Sequence, residues 1–121
     1  MILVDTSVWI DHLRTGDARM IALLNDGRVL SHPCVIGELA LGGLKQRDVV
    51  IPTLGELPAA RVANDGEVLT FIEAQRLAGS GIGYVDAHLL AAARLTQGAR
   101  LWTRDQRLNA VAERLDLAAS L

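Results

Sequence analysis

The chain has 121 residues, with 12 Lys and Arg against 14 Asp and Glu, three His, one Cys and a formal net charge of −2. Half of it is hydrophobic and only 3% aromatic, which fits one domain over residues 1–121 and excludes both a disordered chain and a base-stacking surface. The charge excludes a strongly basic nucleic-acid clamp, though not a nuclease that recruits cations, and the lone Cys allows no internal disulfide and points to the reducing cytoplasm. No basic leader and no apolar run of roughly 18 residues occurs, so neither a signal peptide nor a membrane span is expected.

Ile2-Leu3-Val4 reads as a short buried strand, ended by Asp5-Thr6-Ser7, with Thr6 or Ser7 capping a helix through Trp9 to Leu13. Gly16-Asp17 breaks that helix, and Asp17 caps a second one carrying Met20, Ile21, Leu23 and Leu24. Val29-Leu30 is a second strand, and Pro33 opens a helix running to about Leu44. Val49-Val50-Ile51 reads as a third strand stopped by Pro52, and Thr53 to Asn64 has no clear pattern. Asp65 or Gly66 opens a helix with Val68, Leu69, Ile72 and Leu77, and Gly79 to Gly83 is a loop. Tyr84 to Gln97 is an Ala/Leu-rich helix closed by Gly98. Leu101-Trp102-Thr103 is a fourth strand, Gln106 to Glu113 a helix, and Leu115 to Leu117 a last short strand. Strands alternating with helices, without hairpin signals, imply an α/β sandwich around a parallel sheet.

Four acids sit where a solvated surface residue is not expected. Asp5 and Asp105 each follow the carboxyl end of a strand, the edge where open parallel sheets bind ligands. Glu38 shares its helix face with Cys34, Val35, Leu41 and Gly42, and Asp86 shares its face with Leu89, Leu90 and Ala93. A carboxylate turned inward or into a cleft needs a compensating cation, and few basic residues stand at the right spacing. The bland alternative is helix capping, strongest for Asp86 in a first turn and weakest for Glu38 in mid-helix. If the four converge, a hard divalent ion with oxygen ligands offsets their repulsion, and the chemistry that follows is attack of a metal-activated water on a phosphodiester. Thr6, Ser7 and Thr103 are hydroxyls beside these acids, each with a capping or turn alternative.

The ordered set Ile2-Leu3-Val4-Asp5-Thr6-Ser7, Ile36-Gly37-Glu38-Leu39, Val85-Asp86-Ala87 and Leu101-Trp102-Thr103-Arg104-Asp105 resembles the PIN-domain ribonucleases, in particular the VapC-type toxins of bacterial toxin–antitoxin pairs. The resemblance spans nearly the whole chain. It implies a three-layer fold with a central parallel sheet of four or five strands flanked by helices. It also implies an endoribonuclease dependent on Mg²⁺ or Mn²⁺, with Asp5, Glu38, Asp86 and Asp105 as its acids. Asp5, Asp86 and Asp105 are the metal ligands in that reading, and Thr6 and Thr103 occupy the Ser/Thr positions. It further implies RNA as substrate, a homodimer, and a cognate antitoxin lying across the active-site groove. One departure is Gln106-Arg107-Leu108, where many relatives carry an aromatic, a change expected to touch packing more than chemistry.

Other features carry less. His88 lies at i+2 from Asp86, on the opposite helix face, and is expected at the surface or an interface. His12 and His32 lack metal-ligand spacing, and Cys34 reads as a small buried hydrophobe. All basic residues but Lys45 are Arg, and Arg14, Arg100, Arg104 and Arg107 either flank the crevice or face solvent. Trp9, Ile10 and Leu13 form either core or an apolar groove. Two other readings stay open: a phosphoaspartate domain, receiver or phosphatase, and a non-catalytic binding module whose acids only cap helices. The phosphatase pattern wants an acid at Ser7, and a receiver wants a Lys near the site, where Lys45 is the only one in the chain.

Overall fold

The computed structural model describes residues 1–121. Three strands form the sheet: β1 (Ile2–Val4), β2 (Val29–Leu30) and β3 (Arg100–Trp102). Their order is β2-β1-β3 and both pairings are parallel, with Leu3 opposite Leu30 on one side and Leu101 on the other. The central strand is covered on both faces, so its run is apolar without alternation, and Leu3 and Val4 are fully buried. Seven helices flank the sheet: α1 (Thr6–Thr15), α2 (Ala18–Asn25), α3 (Pro33–Leu41), α4 (Arg47–Glu56), α5 (Asp65–Ala74), α6 (Tyr84–Leu95) and α7 (Gln106–Arg114). None is long and apolar enough to cross a membrane.

The sheet has three strands, not four or five. Val49, Val50 and Ile51 lie in α4, with Pro52 inside the helix and the Thr53 hydroxyl donating to the Val49 carbonyl. The sheet edge beside β2 is taken instead by Ala59, which bridges Ser31, and Val49 is 63% exposed. At the other edge Leu117 and Ala119 bond to Leu101, but only a single bridge, Leu101 to Ala118, forms there. A β-branched run makes a strand only where an unpaired edge receives it.

Helix starts follow local chemistry. The Asp17 carboxylate accepts from Met20 N–H, and His32 Nδ1 accepts from Cys34 N–H with Pro33 in the first turn. α5 opens at Asp65, as expected, and the preceding Asn64 caps it in a reciprocal box with Glu67. A cluster of 25 buried residues joins the sheet to helices α1, α2, α3, α6 and α7, among others. Residues Ala87 to Ala93 of α6 are all buried, because α5 covers the face turned away from the sheet. That all-round burial explains the alanines: small side chains let two layers approach one helix.

Candidate active site

Because the sheet is parallel, the carboxyl ends of β1 and β3 emerge at one edge, and the Asp5 amide still donates to the Trp102 carbonyl there, at 2.9 Å. Asp5 is the N-cap residue of α1, yet its side chain does not cap the helix. Its Oδ2 accepts instead from Thr103 Oγ1 at 2.7 Å and Ser7 Oγ at 2.8 Å, and the residue is only 6% exposed. Each hydroxyl has one proton and gives it to Asp5, so the 3.3 Å approach of Ser7 Oγ and Thr103 Oγ1 is a consequence of sharing one acceptor. The same two oxygens accept from the next turn: Ser7 from Arg104 N–H and Thr103 from Asp105 N–H, both at 3.0 Å. This cradle binds the end of β3 to the start of α1.

Asp105 caps α7, its Oδ1 accepting from Leu108 N–H at 3.0 Å. Asp86, at the third position of α6, accepts from Gly83 N–H through Oδ2 at 3.0 Å. Glu38 accepts from Thr6 Oγ1 through Oε1 at 2.8 Å, so Thr6 serves Glu38 rather than Asp5. Glu38 is exposed, not turned inward, because its side of α3 faces the open groove beside α1. The four acids follow one pattern: each has one oxygen in a protein hydrogen bond and the other without one.

No base neutralises them. The four ion pairs of the chain engage Asp65, Asp116, Asp11 and Asp17. Arg104, next to Asp105 in sequence, turns away to hold Asp11 at 2.5 Å and Asp17 at 2.6 Å, with its guanidinium over the Trp102 ring. Burial pushes the Asp86 carboxyl above its ordinary value, and the charges of Asp5, Asp105 and Glu38 push it the same way, against the Gly83 hydrogen bond. Asp86 therefore lies within the field of the other three acids.

Two imidazoles and a thiol make the chain's one group of three potential metal donors within 4.8 Å of one another; no three of the four acids draw together so closely. Carboxylate oxygens are the donor type that a hard divalent ion favours, and such an ion commonly keeps several of its waters. Beside Glu38 a groove of about 770 Å³ runs between α1, α3 and α4. Ile10, Leu13, Leu39 and Val50 give it an apolar lining, and Arg14 and Lys45 add two cations. Trp9 belongs to the core, so only Ile10 and Leu13 of that stripe reach the groove. A second cavity of about 660 Å³, lined by Phe71, Ala91 and Arg94 among others, contains none of the four acids.

Sequence reading placed His88 at the surface or an interface, but within the single chain it is already only 9% exposed, because both faces of α6 are interior. Arg100 bonds to Asp116, and Arg107 lies against Gly81, where an added Cβ would meet its Cδ at 3.0 Å.

The PIN domain family model matches residues 2–114. "Ribonuclease VapC32" of Mycobacterium tuberculosis, in strains CDC 1551 and H37Rv, is 56% identical over 110 residues, covering 91% of this chain and 89% of that protein. The crystal structure of FitAcB from Neisseria gonorrhoeae shares the fold, with a TM-score of 0.63 over 98% of this chain and 95% of that one, at 24% identity. The chain therefore belongs to the PIN-domain family, within its VapC-type ribonuclease group.

Proposed function

We propose that this protein is a metal-dependent endoribonuclease and the toxin of a type II toxin–antitoxin pair, formed by a single nuclease domain over residues 1–121 and working in the cytoplasm. The observation that carries the chemistry is the set of four clustered acids, each with one oxygen free and none paired with a base. Asp5, Asp86 and Asp105 would hold Mg²⁺ or Mn²⁺, which supplies charge neutralisation at the scissile phosphate and acidity to an attacking water. Thr103 and Ser7 hold the Asp5 carboxylate through Oδ2, leaving Oδ1 without a protein hydrogen bond. Glu38, held by Thr6 at the mouth of the groove, keeps Oε2 open to accept a proton. RNA is the substrate that the named ribonuclease relative supports.

The groove beside Glu38 suits an antitoxin segment. Ile10, Leu13 and Leu39 would take apolar side chains, and Arg14 and Lys45 would meet acidic ones. A homodimer belongs to the same proposal. Family membership displaces the phosphoaspartate alternative. The binding-module alternative draws on Asp86 and Asp105, which do accept helix-start amides. Calorimetry with Mg²⁺ or Mn²⁺ separates the two, since acids that only cap helices bind neither ion. The direct experiment is RNA cleavage with Mg²⁺, with EDTA, and by a folded Asp5→Asn protein. Chelation and the substitution should each abolish cleavage, and undiminished cleavage by Asp5→Asn rejects the assignment.

A further inference from the structure

Behind the acids, His32, Cys34 and His88 bring one donor atom each to within 4.8 Å of one another. The two histidines are 0% and 9% exposed, and each keeps one ring nitrogen buried without a hydrogen-bond partner, Nε2 of His32 and Nδ1 of His88. Buried polar atoms left unpaired are costly and call for an explanation. From these residues we infer a second metal site, for a borderline transition ion of the Zn²⁺ type, that ties α3 to α6.

The donor set selects the ion. Two imidazoles and a thiolate suit Zn²⁺ or Co²⁺ and are poor ligands for Mg²⁺ and Mn²⁺, which favour the carboxylates. Three protein donors leave a fourth position for solvent. Tetrahedral bonds of about 2.0–2.3 Å set the donors roughly 3.3–3.6 Å apart, so binding draws them together by up to about 1.5 Å. His88 is arranged for the role: Nε2 faces Asp65 Oδ1 at 3.5 Å, and that oxygen also accepts from Tyr84. A carboxylate at one nitrogen holds the proton there and turns the other lone pair toward a metal.

His32 is the constrained member. Its Nδ1 accepts from Cys34 N–H at 3.0 Å, so the proton of the neutral ring sits on Nε2. It ligates through Nε2 only by shifting that proton to Nδ1 and releasing the cap of α3. Binding therefore exchanges a helix cap for a coordinate bond, and Cys34 gives up its thiol proton. Cys34 stands one turn before Glu38 on α3, and His88 two residues after Asp86 on α6. A bound ion thus couples the two helices that present those acids.

The test uses untagged full-length protein in excess Mg²⁺, titrated with Co²⁺. One equivalent should give tetrahedral visible bands and a near-ultraviolet thiolate band, both displaced by Zn²⁺. Cys34 is the only Cys in the chain, so the thiolate band reports that residue alone. The spectrum should vanish in Cys34→Ser and His88→Gln and persist in Asp86→Asn. His32→Asn retains a cap acceptor while removing the imidazole, and should weaken Co²⁺ binding at least tenfold. A measurement on the unmutated chain needs no variant to fold: Zn²⁺ should slow alkylation of Cys34 at least tenfold, and Mg²⁺ should leave the rate unchanged. Absence of a thiolate band, visible bands that survive Cys34→Ser, or equal alkylation rates with the two ions overturn the site.

Discussion

Thr103→Val probes the cradle that orients Asp5. The swap exchanges a hydroxyl for a methyl at a site only 7% exposed, so packing volume is kept. It removes the 2.7 Å bond into Asp5 Oδ2 and the acceptor for Asp105 N–H. A hydrogen bond to a charged group contributes about 1.5–3 kcal/mol. Ser7 still donates to the same oxygen, and Asp105 is exposed enough for water to reach its amide, so the lower part of that range applies. A loss of about 2 kcal/mol lowers Tm by roughly 6–10 °C for a chain of this length. Thermal melts in chelator measure it, and Thr103→Ser, which keeps the hydroxyl, should lose only about 1 kcal/mol, the worth of one buried methyl. In an Asp5→Asn background the bond survives without its charge, so Thr103→Val should cost about 1 kcal/mol less there. A Thr103→Val protein that melts within about 1 °C of wild type, or that loses the same amount in both backgrounds, refutes the cradle.

Asp86→Asn should raise Tm in chelator at neutral pH. Burial and three neighbouring carboxylates hold the folded pKa above the unfolded value of 3.8, so the ionised group opposes folding above the folded pKa. The gain shrinks as pH falls through that raised pKa and disappears below 3.8, where both states are protonated, so a gain unchanged by pH contradicts the cause. Divalent ion should then stabilise wild type more than the variant, read as the shift in Tm on adding Mg²⁺. Arg104→Lys keeps the charge but not the fork that holds Asp11 and Asp17 together; with the Arg side chain 37% exposed, the loss should be roughly 1 kcal/mol. Melts at low and high salt check it, because that gap should narrow as salt screens the pairs. Gly79 and Gly81 both have positive φ, +74° and +87°, but only at Gly81 does an added Cβ meet a side chain, that of Arg107. Gly81→Ala should therefore destabilise more than Gly79→Ala in urea unfolding, and the excess should vanish in an Arg107→Ala background.

What could be read in the sequence was local in origin. The run Ile2-Leu3-Val4 met a charge at Asp5, which marks a strand end without knowledge of any partner. Pro33, Asp17 and the acids after β1 and β3 announce helix starts in the same way. The misreadings all needed the partner. Val49 to Ile51 has strand propensity, but Ala59 and Ala118 occupy the sheet edges and α3 receives α4 instead. His88 reads as a surface or interface residue because it opposes Asp86 on the helix, a deduction valid only for a helix with one solvent face; α6 has none through its middle. Glu38 reads from its apolar neighbours as turned inward or into a cleft, and the groove that opens on that side decides for the cleft. Ser7 was equally consistent with capping α1, and only the return of residues 103 to 105 against it shows whose proton it holds.

Capping and site formation are not alternatives here. Asp5 and Asp105 stand at the N-cap positions of α1 and α7, and Asp86 lies in the first turn of α6. Helix N-termini carry partial positive charge, contributing about 0.3–1 kcal/mol to a nearby anion. Three such ends converge on three carboxylates that would otherwise repel. Glu38 is in mid-helix and has no such support, and it is also an exposed acid, screened by water. An Arg or Lys at the centre would stabilise the cluster more strongly, but it would occupy the free oxygens that a metal requires. Helix ends stabilise the same charges through amides that engage at most one oxygen of each acid, and so leave free the oxygens that the proposed metal would need.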